Sequence, residues 1–565
     1  MKFEIINPQL LEKDIVSLVF NNRGIEDKNI FDYIECHKDF RSNPFDFINM
    51  QKAVDLLTKH IYLNSVIRIL VDCDCDGYMS ATIMYKLIKE LNPEADVDFI
   101  HHKEKKHGVY AENLDSIKNM DIDLLIVPDA GSNQVENLKD IKESGIEVLV
   151  IDHHEAQQTD EIVIVNNQYN DVNPELSGGA MVLKFAEAMI GDKADKYRDL
   201  AAVSIISDNM AMNNLENRFY VKHGLSNINN EFLKALVGDP KNANASEIGF
   251  GIAPMINSIV RMGTMEDKII LTNALVNKEG YVELPVRKNG KKTSNYNYID
   301  AVIKISKWRR EEQKQVVNEE VEKVDLDNND PINIVVLDDE FNTNLSGYFA
   351  NIVSGKTLKP TLVMKYVEEE DTYKGSARAA DVVDFKDYLK NMDLFKNLEG
   401  HQGAFGVEIR SNSLEELKER MKNMELPTEK IYKVDKVLNS EEVDKQEISA
   451  IHSLENVWGK CLEKPKFAVK LKDASISLIG SNLKTMRIFK GGITYIKFNC
   501  NDEEIERIQS LKGMVDINIV GTFDVNIFNG RNNYQIKIED YEILSKEIQY
   551  NPFDSDEDDD FADLF

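Results

Sequence analysis

Cysteine is nearly missing from this chain of 565 residues: Cys36, Cys73, Cys75, Cys461 and Cys500 are its whole complement, and none forms a CxxC pair with a matching second half. That excludes a disulfide framework, and a reducing cytoplasmic setting is expected. Proline is sparse, at 13 residues, and with 42% hydrophobic residues the composition is that of ordinary globular cores, long enough for two to four domains. No window reaches the roughly 18 uninterrupted apolar residues of a membrane-spanning helix. The opening MKFEIINPQLLEKDIVSLVF lacks a basic region followed by an apolar core, so a soluble, unexported protein with no membrane partner is expected. Basic charge is in deficit too: 68 Lys and Arg stand against 98 Asp and Glu, a net charge of −30. The deficit argues against a polyanion held by a cationic surface. It is a weak veto, because the closing NPFDSDEDDDFADLF carries seven carboxylates and no Lys or Arg, leaving −23 without it. A metal-centred site also binds phosphate through its ions.

What is present is ordered along the chain. Residues 1–62 read as an N-terminal helical segment ending in the amphipathic AVDLLTKHIY. From 63 to 265 short Val/Ile/Leu runs alternate with helices: VIRILVDC, YMSATIMYKLIKEL, VDFI, DLLIVPDA, VENLKDIKES and EVLVIDHH. This is the pattern of a doubly wound parallel sheet, an α/β fold whose functional residues sit at the C-terminal strand ends. Residues 266–330 form a connector with a long polar helix, NYIDAVIKISKWRREEQKQVVNEEVEKV, whose charges read as a solvated face. A second, smaller α/β segment spans 331–425. The runs FAVKLK, ITYIKFN, DINIVGTFDVN and YQIKIEDYEI within 426–546 predict a small β-barrel with a lead-in, and 547–565 is an acidic, disordered tail.

The chemistry sits in one recurring set. Asp72, Asp74 and Asp76 alternate with Cys73 and Cys75 before Gly77; Asp129 follows in VPDAGSN, then Asp152-His153-His154, then Asp208 in IISDNM. If LVDCDCD finishes a strand, the three aspartates share one face and the cysteines point into the core. So many converging carboxylates repel one another unless cations compensate them, which predicts a two-metal site. Mixed carboxylate and imidazole ligands suit Mn²⁺ best, with Mg²⁺ as the alternative and zinc disfavoured by the lack of thiolates. Two such ions hydrolyse phosphoesters or phosphoanhydrides. Each piece alone has a plainer reading: DxDxDG also fits a calcium loop or a strand-to-helix turn, and a His-His pair such as His101-His102 is more often surface or core. The ordered set at strand ends is specific where its parts are weak.

This set resembles the DHH phosphoesterase superfamily, whose name-giving triplet stands here as Asp152-His153-His154. The chain is most similar to the RecJ branch of single-strand-specific exonucleases, through FNNRGIEDKNIFDYI…NPFDFINMQKAVDLL, LSGGAMVLKFAE, GFGIAPMINSIVRMG, GSARAADVVDF, EGHQGAFG and the C-terminal SNLKTMRIFKGGITYIKFN…YQIKIEDYEI. The resemblance implies a DHH domain, a DHH-associated domain and an OB-like barrel. It also implies that Asp74 binds one ion, Asp76 and His153 the other, that Asp129 bridges them and that Asp208 completes the second site. Asp72 then supports the first ion, His154 stands near the scissile phosphate as proton donor, and Asp152 orients the adjacent imidazole. Asn257, Arg261, Ser376 and Arg378 are the candidates for holding DNA phosphates, with His401 facing the same cleft. The family's arginine-plus-GYGL element is here HHKEKKHGVY, so Lys103, Lys105 or Lys106 substitutes for a guanidinium; a double glycine of the family is Glu399-Gly400.

The implied activity is Mn²⁺-dependent 5′-to-3′ degradation of single-stranded DNA in recombination, repair or replication. The rival readings are a DHH phosphodiesterase acting on oligoribonucleotides or cyclic dinucleotides, and a non-catalytic DHH replication scaffold. Tyr495, Phe498, Phe523, Phe528 and Tyr534 are available in the barrel to stack bases, although alternation makes about half of them core. The tail reads either as a solubilising terminus, as a fold-back phosphate mimic, or as a docking peptide for replication or single-strand-binding machinery.

Overall fold

A computed structural model describes residues 1–103, 107–241, 243–326, 330–380, 385–401, 403–422, 424, 431–511, 513–528 and 531–544. The chain forms two compact units. One comprises Phe31–Thr428 and Asn456–Leu462, the other Met1–Ile30, Glu429–Glu455 and Glu463–Phe565.

The larger unit is built on five parallel strands, β1 (Ile67–Val71), β2 (Val97–His101), β3 (Leu124–Pro128), β4 (Glu147–Asp152) and β5 (Val163–Asn166), in the order β2-β1-β3-β4-β5. β1, β3 and β4 are near-continuous apolar runs because helices cover both sheet faces; Leu70, Leu125, Val127, Val148 and Val150 pack on one side in a single cluster. The strand order reverses between β1 and β3, so helices leave the sheet in opposite directions there and a crevice opens at the strand ends. Asp72 and Asp129 follow directly on the two strands flanking that crevice. Helices α1 (Cys75–Leu91), α2 (Gly178–Ile190) and α3 (Arg198–Ser207) pack against one another beside it. Each has a predominantly buried sequence; Met181, Leu183 and Phe185 of α2 have no exposed surface.

Helices α4 (Ala253–Met262) and α5 (Met265–Leu275) follow, then a hairpin of Tyr281–Pro285 and Thr293–Asn297 that the sequence reading did not include. The long helix α6 (Tyr298–Val321) is less solvated than its charges predict. Ala301, Val302, Ile305, Gln313, Val317 and Val321 are buried at helical spacing, and Arg309 donates 2.9 and 2.6 Å hydrogen bonds to Asp267 of α5. A stripe of small and branched residues hidden among Lys and Glu was enough to seat it.

The second sheet has β6 (Asn333–Val336), β7 (Thr361–Val367), β8 (Thr372–Arg378), β9 (Phe395–His401) and β10 (Ala404–Arg410) in the order β9-β10-β8-β7-β6, with α7 (Ser346–Thr357) packed on β7 and β8. β6 and β7 are parallel and the other neighbours antiparallel.

In the other unit a seven-stranded mixed sheet uses β11 (Lys436–Asn439), β12 (Phe467–Ala474), β13 (Ile476–Ile479), β14 (Thr485–Lys490), β15 (Ile493–Lys497), β16 (Val515–Phe528) and β17 (Arg531–Leu544), in the order β11-β12-β16-β17-β15-β14-β13. Phe467 and Phe523 stack at its centre with ring centroids 3.8 Å apart. The first thirty residues belong here: Lys2–Ile5 pairs in parallel with Ile431–Val434, and buried Arg23 meets buried Asp435 at 2.8 Å. The segment read as one helical stretch over 1–62 is therefore divided between the units, and it opens with a strand because KFEI alternates in the period of two. The acidic tail lies outside the described residues. Among the described residues no helix is long and apolar enough to cross a membrane, and the five cysteines are free thiols.

Candidate active site

The carboxylates gather where the sheet opens. β1 stops at Val71 and α1 starts at Cys75, so the stretch Asp72–Asp76 is a turn and a helix start, not the strand end whose alternation was expected. The aspartates come together for another reason: Asp74 caps α1, accepting from the Gly77 N–H at 3.0 Å, and this wraps the chain back on Asp72. A Cβ on Gly77 would lie 2.5 Å from the Asp72 Cβ, so only glycine permits that wrap. Cys73 and Cys75 are buried, as expected.

Asp72 is buried and accepts from Gly108 N–H at 3.2 Å, with His107 Nδ1 2.6 Å from its other oxygen. His107 was not singled out in the sequence; the signal that could have found it is its place immediately before the glycine of HHKEKKHGVY. Asp76, on the first turn of α1, accepts from the N–H groups of Gly178 and Gly179 at 3.0 and 2.8 Å and from the Ser204 hydroxyl. Those two N–H groups are the start of α2, where the helix dipole favours negative charge. A Cβ on Gly178 would sit 2.1 Å from Asp129 Oδ1, which gives the double glycine of LSGGAMV its reason.

Asp129 follows β3 with φ +65°, a left-handed turn that aims its carboxylate inward, and its Oδ1 is buried with no hydrogen-bond partner among the described residues. His153 Nε2 lies 3.2 Å from that atom, 3.7 Å from Asp208 Oδ2 and 4.0 Å from Asp76 Oδ2. Asp208 caps the C-terminus of α3 and is partly open to solvent. Asp152 is fully buried at the end of β4; it accepts from Ser132 N–H at 3.0 Å and from His153 N–H at 2.7 Å, and His154 Nδ1 stands 2.8 Å away.

Electrostatics follow from this crowding. Burial raises the carboxyls of Asp72, Asp76 and Asp129 above the usual carboxylate range, and Asp129, which Asp76 and Asp74 also repel, is raised well above it. Burial and the same two neighbours push Asp208 up to about 8. Burial lowers His153. His154 is opposite: although burial acts against its charged form, the hydrogen bond and charge of Asp152 lift it to about 9. Three sets of ligand atoms lie within 4.8 Å of one another, Asp72 with Asp74 and His107, Asp76 with His153 and Asp208, and Asp129 with His153 and His154. Mutually repelling carboxylates beside imidazoles, with an orphaned oxygen on Asp129, form a donor set that fits hard divalent cations.

His107 of the first set lines a cavity of about 550 Å³ together with Arg261, Lys365, Lys374, Ser376 and Arg378. Arg261, on α4, makes no hydrogen bond or ion pair among the described residues; burial lowers its pKa and the charge of Asp74 acts the other way. Arg378 is held by Asn351 at 2.6 Å and by the Ala377 carbonyl at 2.7 Å, and Ser376 Oγ is 2.9 Å from Ser346 Oγ. Asn257 lies one turn before Arg261 on the same helix face and is not among the cavity residues. Lys103 is exposed; what fixes that segment is buried Lys268, which donates to the carbonyls of His102 and Lys103 at 2.7 and 3.2 Å. Lys105 and Lys106 lie outside the described residues. His401 stands on β9, paired with Ala404. His102 is buried and His101 half-buried beside Tyr78 and Phe99, in line with the plainer reading of the pair. In the smaller unit Tyr495 and Phe523 are buried and Phe498 exposed, Tyr534 lies under Lys445, and exposed Phe489 was not anticipated.

Residues 66–206 match the model of the DHH family, N-terminal domain, and residues 434–540 match the RecJ OB domain. Residues 66–206 therefore carry a DHH-family domain and residues 434–540 a RecJ-type OB domain. Relatives of this RecJ-type chain include YorK of the SPbeta prophage of Bacillus subtilis (strain 168), a provisionally named single-strand DNA-specific exonuclease. It is 29% identical over 581 residues, covering 96% of this chain and 98% of that one. The single-stranded-DNA-specific exonuclease RecJ of Bacillus subtilis is 25% identical over 530 residues, covering 88% of this chain and 64% of the relative. RecJ of Thermus thermophilus, crystallised with Mn²⁺, shares the fold with a TM-score of 0.70 at 19% identity, over 94% of this chain and 76% of that one.

Proposed function

We propose that this RecJ-type chain is a divalent-metal-dependent exonuclease that hydrolyses single-stranded DNA from its 5′ end, acting in the cytoplasm in recombination, repair or replication. The observation that carries this is the juxtaposition of the carboxylate and imidazole sets with the cationic cavity at their rim. The names of the relatives and the Mn²⁺ complex of the Thermus protein support it. Asp72, Asp74 and His107 would hold one ion, Asp76, His153 and Asp208 a second, and Asp129 would reach both. Ions held there supply polarisation of a phosphate oxygen and a lowered pKa for water. Mn²⁺ is the ion we favour, with Mg²⁺ as the alternative.

The protein's own groups do the rest. Asp152 fixes the His154 ring through Nδ1 and favours its protonated form, so Nε2 can donate to the departing oxygen. Arg261 has no anion of its own among the described residues, and Arg378, pre-oriented by Asn351, places a second guanidinium in the same cavity. Together they suit a terminal phosphate. The acidic tail we assign to docking a replication or single-strand-binding protein; truncation after Tyr550 is predicted to lose that partner and leave cleavage of naked DNA unchanged, whereas faster cleavage would show an autoinhibitory tail instead.

The test is degradation of an oligodeoxynucleotide labelled at either end, as single strand and as blunt duplex, with Mn²⁺. Loss of the single strand alone, beginning at the 5′ end, supports the reading. Cleavage only of short RNA or cyclic dinucleotides would replace it with a small-substrate phosphodiesterase, and no hydrolysis at all with a scaffold.

A further inference from the structure

Between residues 247 and 262 the chain runs as one continuous helical rod, a π-helical turn over Glu247–Ile252 passing directly into α4. From position 250 to position 261 this rod is buried on every side but one: only Phe250, Gly251, Pro254, Asn257 and Arg261 escape full burial. Phe250, Pro254, Asn257 and Arg261 are spaced by four, three and four, which places them along a single stripe. One end of the stripe is Arg261, which lines the cavity at the acidic centre. At the other end is Phe250, 83% exposed, a benzyl side chain standing in solvent between two glycines. Nothing in the folding of this unit calls for it, because burying that ring elsewhere would be favourable by about 2 kcal/mol.

Two features hold the rod's start in place. Asn456 accepts from the Ala245 N–H at 2.9 Å and donates to the Ala243 carbonyl at 3.0 Å, and the neighbouring Lys460 carbonyl accepts from the Met212 N–H at 2.8 Å. The segment Asn456–Leu462 thus ties the beginning of the stripe to the turn that follows Asp208. The π-helical turn is itself a rare conformation that is frequent at functional sites. An exposed aromatic ring on a rigid support, continuous with a phosphate-binding arginine, matches the way proteins take hold of unpaired nucleic acid: a cationic groove for the backbone and an aromatic face for the base.

We propose that Phe250 is a base-stacking platform for the single strand, holding a nucleotide several positions inward from the terminal phosphate at Arg261. The stripe from 250 to 261 is about 16 Å long, so the ring meets the strand only when the oligonucleotide extends several nucleotides beyond the terminus. The inference rests on the nuclease reading above and adds a length dependence to it. Arg261 takes the end of any strand, while Phe250 adds affinity only for long ones, through a face that every base possesses and therefore without sequence preference.

The experiment compares binding of 5′-phosphorylated dT₃ and dT₁₂ by fluorescence anisotropy, in an Asp129→Ala background that prevents cleavage, for the parent, Phe250→Ala and Phe250→Trp. The parent is expected to prefer dT₁₂ over dT₃. Phe250→Ala should reduce that preference by about fivefold to a hundredfold, the range that stacking on one ring supplies, and Phe250→Trp should keep or increase it. An unchanged length preference in Phe250→Ala would overturn the proposal, as would a Phe250→Trp variant as weak as Phe250→Ala, or a loss explained by a lowered melting temperature. Failure of the parent to bind either oligonucleotide, together with no cleavage by the unmodified protein, would instead overturn the nuclease reading beneath it.

Discussion

His101 shows how a single residue's surroundings become a property of the protein. Its ring lies between Tyr78 and Phe99, and burial, aided by the nearby Lys268 charge, lowers its pKa to about 4. The unfolded chain, at about 6.5, therefore binds the proton first as pH falls. The folded state has its full stability above pH 6.5 and loses it progressively down to about pH 4, by about 3 kcal/mol from this residue. Urea unfolding at pH 7 and pH 4.5 in the presence of a chelator should show a smaller acid loss for His101→Leu than for the parent; equal losses would refute this account. The residues that carry chemistry were legible for a related reason. A buried carboxylate is so costly that Asp72, Asp129 and Asp152, placed at or directly after the ends of apolar strands, had few other readings. His107 was not legible, because its partner Asp72 lies 35 positions away and no local pattern announces the contact.

Among elements, the start of α2 does the most to shape the site. Its first two N–H groups neutralise Asp76, and the bare Cα of Gly178 lets the helix approach Asp129. Gly178→Ala is predicted to fold, to push the Asp129 carboxylate aside and to weaken Mn²⁺ binding by at least about tenfold. Calorimetric titration of both proteins measures this, and equal affinities would show that the glycine serves packing alone. The parallel strands were readable from their apolar runs because their burial on two faces leaves no other composition. The alternation argument for 72–76 failed, since Asp74 offers its side chain to the backbone as a cap and ends the strand early. The buried stripe of α6 was obscured by its charged majority, and the hairpin before it has two largely exposed strands that carry little hydrophobic signal.

At the scale of the molecule, the chain passes between its two units four times, at residues 30/31, 428/429, 455/456 and 462/463. Sequence blocks suggested beads in a row, because local composition reports what each stretch forms and not which distant stretch it joins. The consequence is that the larger unit is not complete at residue 428. A chain truncated there loses the strand partner of Lys2–Ile5 and the Asn456–Leu462 segment that fastens residues 212 and 243–245. It is predicted to melt at least several degrees lower than the full chain or to aggregate on size exclusion. A monomer with the melting temperature of the whole would contradict this division.

The measurement that tests the central claim most directly is a Mn²⁺ titration of the metal-stripped protein, followed by electron paramagnetic resonance and paired at each step with hydrolysis of a 5′-labelled single strand. Two ions should bind per chain, hydrolysis should follow the second, and Asp129→Asn should lose both the paired binding and the cleavage. Full cleavage by Asp129→Asn, or hydrolysis by the parent with no bound ion, would contradict the account.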